Sequence, residues 1–155
     1  MNFLLILALC LTLGTRTSAQ NRPSSSPIPP DNCEGNSARL DSVRNKSIAA
    51  GENKTTIAIA RLGSGEQSRD LNRRRLYTVR AYLSAMGLPS EKLITAEGER
   101  VESYGRIEVY IDGKLVEALS VERCKDLPVG TCENDSEDRT RYQLPLSGKV
   151  RLCHR

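Results

Sequence analysis

The central part of the chain places a strand, a long helix and a second strand in close succession, and this order restricts the fold more than any other feature. Residues 55–61, TTIAIAR, are β-branched and alternating, as expected of a strand. Residues 68–86 repeat apolar side chains at steps of three and four, which predicts a helix that Gly87 and Pro89 terminate. The following KLITAEG is predicted to be a strand. Such a unit places its two strands side by side in parallel.

Further elements flank this unit on both sides. A short helix is predicted from Asn36, a candidate N-cap, to Gly51. The segments GRIEVYID and KLVEALSVE are predicted strands, and Asp112-Gly113 between them is a strong signal for a hairpin turn. The predicted fold class is α/β: a two-layer sandwich, with a βαβ crossover and a β-hairpin in the sheet and the helices on one face.

The N-terminal residues predict export. An apolar run from Phe3 to Leu13 is shorter than the roughly 20 residues that span a bilayer, and small residues follow it up to Ala19. Although no Lys or Arg precedes the run, residues 1–19 are predicted to be a cleaved signal peptide, with no transmembrane segment after its removal. Residues 20–32 are rich in Pro and Ser, which is typical of a flexible or polyproline-like tether.

Four cysteines remain after removal of the signal peptide, and an even number in an exported chain predicts two disulfides. They are Cys33, Cys124, Cys132 and Cys153. Three pairings are possible, and local spacing favours Cys124–Cys132, which leaves Cys33–Cys153. The predicted domain therefore covers residues 33–121, and residues 122–155 form a disulfide-bonded extension that ends in a loose hairpin.

Several functional classes find little support in the composition. The formal net charge of +4 is small for a nucleic-acid binder. A metal site is not predicted, because no C-x-x-C pair occurs and the single histidine, His154, lies at the end of the chain. The chain has no recognisable nucleophile motif, and GSGE at residues 63–66 lacks the Lys-Ser/Thr of a phosphate-binding loop. We therefore expect a non-enzymatic protein without a cofactor.

The arginines of the long predicted helix fall into two groups. Arg69, Arg73 and Arg80 lie near one line of the helix, opposite the apolar stripe, and are predicted to be solvated. Arg75 lies at the edge of the stripe. It is either a boundary residue that extends its charged group to water, or a planar fork that holds a carboxylate through two parallel hydrogen bonds.

The ordered series of motifs resembles the OmpA-like peptidoglycan-associated domain family. The stretch LNRRRLYTVRAYLSAMGLPSEKLITAEGE is similar to that family's helix, turn and second strand, AEGER matches the end of that strand, and GRIEV matches the final strand. The resemblance covers residues 55–115, about half of the mature chain. It implies an exported protein of the periplasm or cell envelope that binds the peptide stem of peptidoglycan.

The resemblance also implies specific roles. Arg75 corresponds to the helix arginine that grips a carboxylate of the diamino acid, and Arg106 is the arginine of the final motif. The family's aspartate, which takes the ammonium group, corresponds to Ala60, so Glu66 is the candidate replacement. The predicted ligand is peptidoglycan or another acidic envelope component held through Arg75. The alternative is a protein-binding or scaffolding module that kept the fold and lost peptidoglycan recognition.

Overall fold

The computed structural model of the protein describes residues 28–130, 132, 142–143 and 153. The predicted signal peptide, most of the predicted tether and most of the predicted last hairpin lie outside these residues. The described part contains α1 (Cys33–Ala49), β1 (Thr56–Arg61), α2 (Arg69–Ala85), β2 (Leu93–Glu97), β3 (Gly105–Ile111) and β4 (Lys114–Val121), with a short 3-10 turn at Ser90–Lys92. Of these described helices, neither has the length and apolar character required to cross a membrane.

The sheet confirms the predicted topology. Its strand order is β2-β1-β3-β4, and β1 pairs with β2 in parallel, as the crossover through α2 requires. The hairpin of β3 and β4 joins the antiparallel side of β1. Asp112 and Gly113 both have positive φ, 53° and 74°, which is the backbone of the tight hairpin turn that this dipeptide predicts.

The hydrophobic core lies between the sheet and the two helices. Alternate strand residues, such as Ala58 of β1 and Val109 of β3, are fully buried against Val43 of α1 and Val79 of α2. Both helices therefore cover the same face of the sheet. No described helix or strand packs against the other face, which we call the open face. The two-layer α/β class is confirmed.

The helix boundaries follow their caps. Ser68 caps α2 through its hydroxyl, which accepts a hydrogen bond from the Asp70 N–H, and Gly87 adopts φ 87° after the helix as predicted. The prediction for α1 began too late. Asn32 is its N-cap and accepts from the Gly35 N–H at 2.8 Å, while Asn36 is buried within the helix. The apolar pattern begins only at Leu40, so it did not indicate the first turn.

The first part of the C-terminal extension belongs to the core. After β4 the chain turns back, and Leu127 and Val129 are buried against the helices. The Gly130 N–H donates to the Ser37 hydroxyl at 3.0 Å. The ring of Tyr142 meets that of Tyr82 edge-on at a centroid distance of 5.4 Å. The extension therefore covers a second side of α2 and also packs against the start of α1.

The predicted disulfide pairing is wrong. The structure joins Cys33 to Cys132 and Cys124 to Cys153, with Cα–Cα distances of 5.6 and 5.9 Å. Short sequence spacing favoured a bond between Cys124 and Cys132. Burial of the apolar residues between them instead carries Cys132 away from Cys124 and across to the start of α1. The fold, and not the length of the closed loop, decides the partners.

Candidate functional site

The loop after β1 directs Glu66 into the protein. Gly63 passes so close to β3 that a Cβ atom there would lie 2.3 Å from the Gly105 nitrogen, so only glycine fits. Gly65 adopts a positive φ of 78°, which lets the chain reverse. The guanidinium of Arg100 donates to the carbonyl of Gly63 at 2.9 Å and also to that of Glu66, and so holds the loop from outside.

Arg75 and Glu66 form a bidentate ion pair in the interior. Arg75 Nη1 lies 2.9 Å from Glu66 Oε2, Arg75 Nη2 lies 2.6 Å from Oε1, and both side chains are 0% exposed. A side chain at Gly105 would place its Cβ 2.4 Å from Arg75 Nη1, so the absence of one makes room for the pair. The backbone N–H groups of Gly63 and Cys124 also donate to Glu66, at 2.8 and 2.9 Å.

The extension closes this site. Arg75 Nε and Nη2 donate to the carbonyl of Lys125 at 3.1 and 3.0 Å, and Nη2 lies 3.5 Å from that of Glu122. Next to it, Arg74 forms a second ion pair with Asp126, in which Nε donates to Oδ1 at 2.8 Å. The N–H groups of the Arg75 guanidinium are thus directed to partners within the chain.

The environment keeps Glu66 ionised. Burial alone raises the pKa of its carboxyl group, because the charged form loses its hydration. The hydrogen bonds from Arg75 and from the Gly63 and Cys124 N–H groups, together with the positive charge of Arg75, outweigh burial and lower the pKa below its usual value. The pair is therefore a charged, fully bonded element of the interior.

Arg75 binds a carboxylate of its own chain, whereas the sequence-based interpretation expected the carboxylate of a ligand. The bidentate pairing predicted for Arg75 is present, but Glu66 occupies the position that the prediction assigned to a ligand carboxylate. Neither side chain has exposed surface through which a ligand could reach it. Glu66 does not replace the missing acid at Ala60 as a partner for an ammonium group, since its oxygens face Arg75. Ala60 itself is fully buried in the core.

Arg106 lies apart from Arg75 and Glu66, on the open face of the sheet. It occupies the cross-strand position directly opposite Arg61, and both side chains bind Glu108. Glu108 Oε2 accepts from Arg61 Nε and from the Tyr110 hydroxyl, both at 2.9 Å, and its Oε1 lies 2.6 Å from Arg106 Nη2. We call Arg61, Arg106, Glu108 and Tyr110 the open-face cluster.

Glu108 is the acidic centre of the open-face cluster and is only 5% exposed. Burial raises the pKa of its carboxyl group, but the hydrogen bonds from Arg61 and Tyr110 and the charges of the two arginines outweigh burial and lower the pKa. No motif in the sequence pointed to this cluster. The available signal was the alternation of Arg106, Glu108 and Tyr110 in a predicted strand, which places all three on one face.

The other arginines of α2 behave largely as predicted. Arg69 and Arg73 are 80% and 70% exposed and pair with Glu97 and Asp70, while Arg80 is exposed and donates to the carbonyl of Leu93. Arg74 is the residue that the sequence did not single out. It is buried because the extension covers a second side of α2, which helical periodicity does not reveal.

The described residues contain no group of three or more His, Cys, Asp or Glu side chains placed to hold a metal ion. Comparison of the chain with protein-family models, with curated proteins and with solved structures gave no match.

The lowered pKa values of Glu66 and Glu108 predict instability in acid. A carboxyl group whose pKa is lower in the folded state stabilises the protein fully above its unfolded pKa, near 4.5, and loses that contribution as pH falls through the folded pKa. We expect the free energy of unfolding to change little between about pH 7 and 5 and to fall below about pH 4.5. Urea denaturation at several pH values measures it.

The variant Glu108→Gln separates the two contributions. It removes one titrating group and should make the acid dependence of the free energy of unfolding shallower, whereas Glu52→Gln, at an exposed position, should change that free energy at pH 7 by no more than about 0.5 kcal/mol. A wild-type protein whose stability is constant down to pH 3 would contradict the lowered pKa values.

Proposed function

We propose that this protein is an exported, non-enzymatic binding module of the cell envelope that contacts a protein partner. We take the chain to be a divergent OmpA-like domain in which the helix arginine has become an internal structural residue. The observation that carries this proposal is the Arg75–Glu66 pair, which is fully buried and covered by the extension. A carboxylate from outside would have to displace Glu66 and the extension together.

The charge pattern supports a protein partner over a peptidoglycan stem peptide. Recognition of a diamino acid requires an acid for its ammonium group beside the arginine for its carboxylate. In this chain Ala60, in the apolar core, stands where the acid for the ammonium group would be. The arginine, Arg75, is already bound to Glu66. Loss of both the acid and the free arginine favours the alternative, a protein-binding module that kept the fold and lost peptidoglycan recognition.

The disulfides support export. One disulfide joins the start of the first helix to the extension, and the other joins two cysteines within the extension. Such bonds persist in oxidising compartments outside the cytosol. The extension that they hold is also the segment that covers Arg75. Export and closure of the arginine site are therefore linked through the same segment.

The proposal is tested by photo-crosslinking in the cells that export the chain. A photoreactive amino acid is placed in turn at four exposed apolar positions, and adducts are treated with muramidase or with protease. The positions are Ile48, Tyr77, Ile94 and Leu115. We expect a discrete adduct that muramidase does not change and that protease degrades, from at least one position.

Cosedimentation with purified peptidoglycan sacculi provides the independent measurement. The oxidised protein should remain in the supernatant, like an unrelated secreted protein of similar charge. Saturable retention on sacculi, together with crosslinked adducts that muramidase converts to smaller species, would show wall binding and overturn the proposal.

A further inference from the structure

The open face of the sheet carries its side chains in three ordered rows that run across the strands. The first row is apolar and crosses all four strands, because Ile57 pairs with Ile94 on one side and Tyr110 on the other, and Tyr110 pairs with Leu115. Ile94 and Leu115, at the two ends, are 52% and 54% exposed. With strands about 4.8 Å apart, this apolar row is roughly 15 Å wide.

The third row is basic. Arg61 on β1 and Arg106 on β3 are directly opposite each other, an arrangement that is unfavourable for two like charges without an anion between them. The middle row contains Glu108, which both arginines share. The open-face cluster therefore has two positive groups and one negative group, and it retains one unit of positive charge.

The arginines also keep unused hydrogen-bond donors. Among the described residues, Nη2 of Arg61 and Nη1 of Arg106 have no hydrogen-bond partner, and neither does the buried Nε of Arg106. Arg61 lies against Gly98, where a Cβ atom would come within 2.7 Å of its Nη1, so its position is restricted. Two guanidiniums held side by side with free N–H groups fit a second carboxylate.

We propose that the open face binds an acidic, partly apolar polypeptide segment of a partner protein. One carboxylate of the segment bridges Arg61 and Arg106, and its apolar side chains cover the row from Ile94 to Leu115. The two rows are four residues apart along β1 and β3, or about 13 Å, which equals the span of four residues in an extended peptide. The inference rests on the proposed function and specifies its partner's chemistry.

The face fits a polypeptide better than other ligands. Small molecules bind concave pockets that bury most of their surface, whereas one face of a sheet offers a broad and shallow surface. An anionic membrane surface is recognised by clusters of about four to eight basic residues, and this face presents two arginines with a carboxylate between them. An apolar row beside a single excess positive charge matches an acidic, partly apolar segment.

The test is an NMR titration of the oxidised protein with a defined synthetic probe. The probe is an acetylated, amidated peptide in which two leucines are followed by two serines and two glutamates. The matched control peptide carries lysines in place of the glutamates. We expect chemical-shift changes at the backbone amides of β1 and β3, including those of Ile57, Arg61, Arg106 and Tyr110, with the acidic peptide only.

Matched variants assign the interaction. Arg106→Gln removes a charge-assisted hydrogen bond and should weaken binding by about 10- to 100-fold, while Arg73→Gln removes the same charge from α2 and should change it by less than about twofold. Leu115→Ser, at an exposed position, should weaken binding about fivefold through lost apolar contact. The amide spectrum of each variant reports whether it folds, and the exposed Leu115 provides a test that does not depend on the arginines.

Each contrary result has a definite meaning. Equal binding of the lysine peptide, equal weakening by Arg106→Gln and Arg73→Gln, or shifts confined to α2 would overturn the inference. Binding of anionic lipid vesicles in place of the peptide would assign the face to a membrane and also overturn it. None of these results changes the outcome of the crosslinking experiment, which tests the proposed function separately. A crosslinked adduct that muramidase degrades would contradict the proposed function.

Discussion

Replacing Arg75 by Met is expected to lower the free energy of unfolding by about 3–5 kcal/mol, because it leaves the carboxylate of Glu66 charged and buried without its partner. The backbone carbonyl of Lys125 loses two donors in the same change. Urea denaturation of the oxidised protein measures the loss. The matched control is Arg73→Met, the same substitution at an exposed arginine of the same helix, which should cost less than about 0.5 kcal/mol.

A double-mutant cycle distinguishes the ion pair from simple loss of packing. Glu66→Leu alone should also destabilise strongly, because Arg75 would then be the unpaired buried charge. The double variant should be less destabilised than the sum of the two single variants, since it contains neither charge. If Arg75→Met were as mild as Arg73→Met, or if the two losses were additive, Arg75 and Glu66 would not act as a buried pair.

Removing the Cys33–Cys132 disulfide is expected to destabilise the protein by up to about 4.7 kcal/mol, the chain-entropy value for a loop of its length. The Cys124–Cys153 bond closes a shorter loop, with a sequence separation of 29, and should contribute about 3.6 kcal/mol by the same relation. Paired Cys→Ala variants, compared by urea denaturation, measure both contributions.

The covalent pairing itself is read from mass spectrometry of unreduced peptides. We expect linked peptides that contain Cys33 with Cys132 and Cys124 with Cys153. A linked peptide that joined Cys124 to Cys132 would contradict the structure and restore the pairing that short spacing favours. The paired Cys→Ala variants provide a check that does not depend on peptide recovery, because removal of Cys33 and Cys132 should destabilise the protein more than removal of Cys124 and Cys153.

The open-face cluster could be predicted from the sequence only in part. Alternation along β3 places Arg106, Glu108 and Tyr110 on one face, and this follows from the period of a strand. That Arg61 stands opposite Arg106 depends on the register between β1 and β3, which are separated by α2 and β2. Register is a tertiary property, because it is decided by which apolar residues meet in the core.

Local physical chemistry determined the elements of this protein. The alternation of residues 55–61, the apolar steps of α2, the positive φ of Gly87 and the turn at Asp112-Gly113 are properties of neighbouring residues, and the structure confirms each of them. The parallel pairing of β1 with β2 also followed, since a strand–helix–strand unit allows few other arrangements.

The partners of the functional candidates were decided only by the tertiary structure. The sequence indicated that Arg75 could bind a carboxylate, but it did not indicate which one. The loop after β1 brings Glu66 to Arg75, and the extension covers the pair through Lys125. The same extension carries Cys132 to Cys33, because Leu127 and Val129 are buried on the way. Each contact joins segments that are distant along the chain, so their meeting depends on packing of the whole core, which local periodicity does not encode.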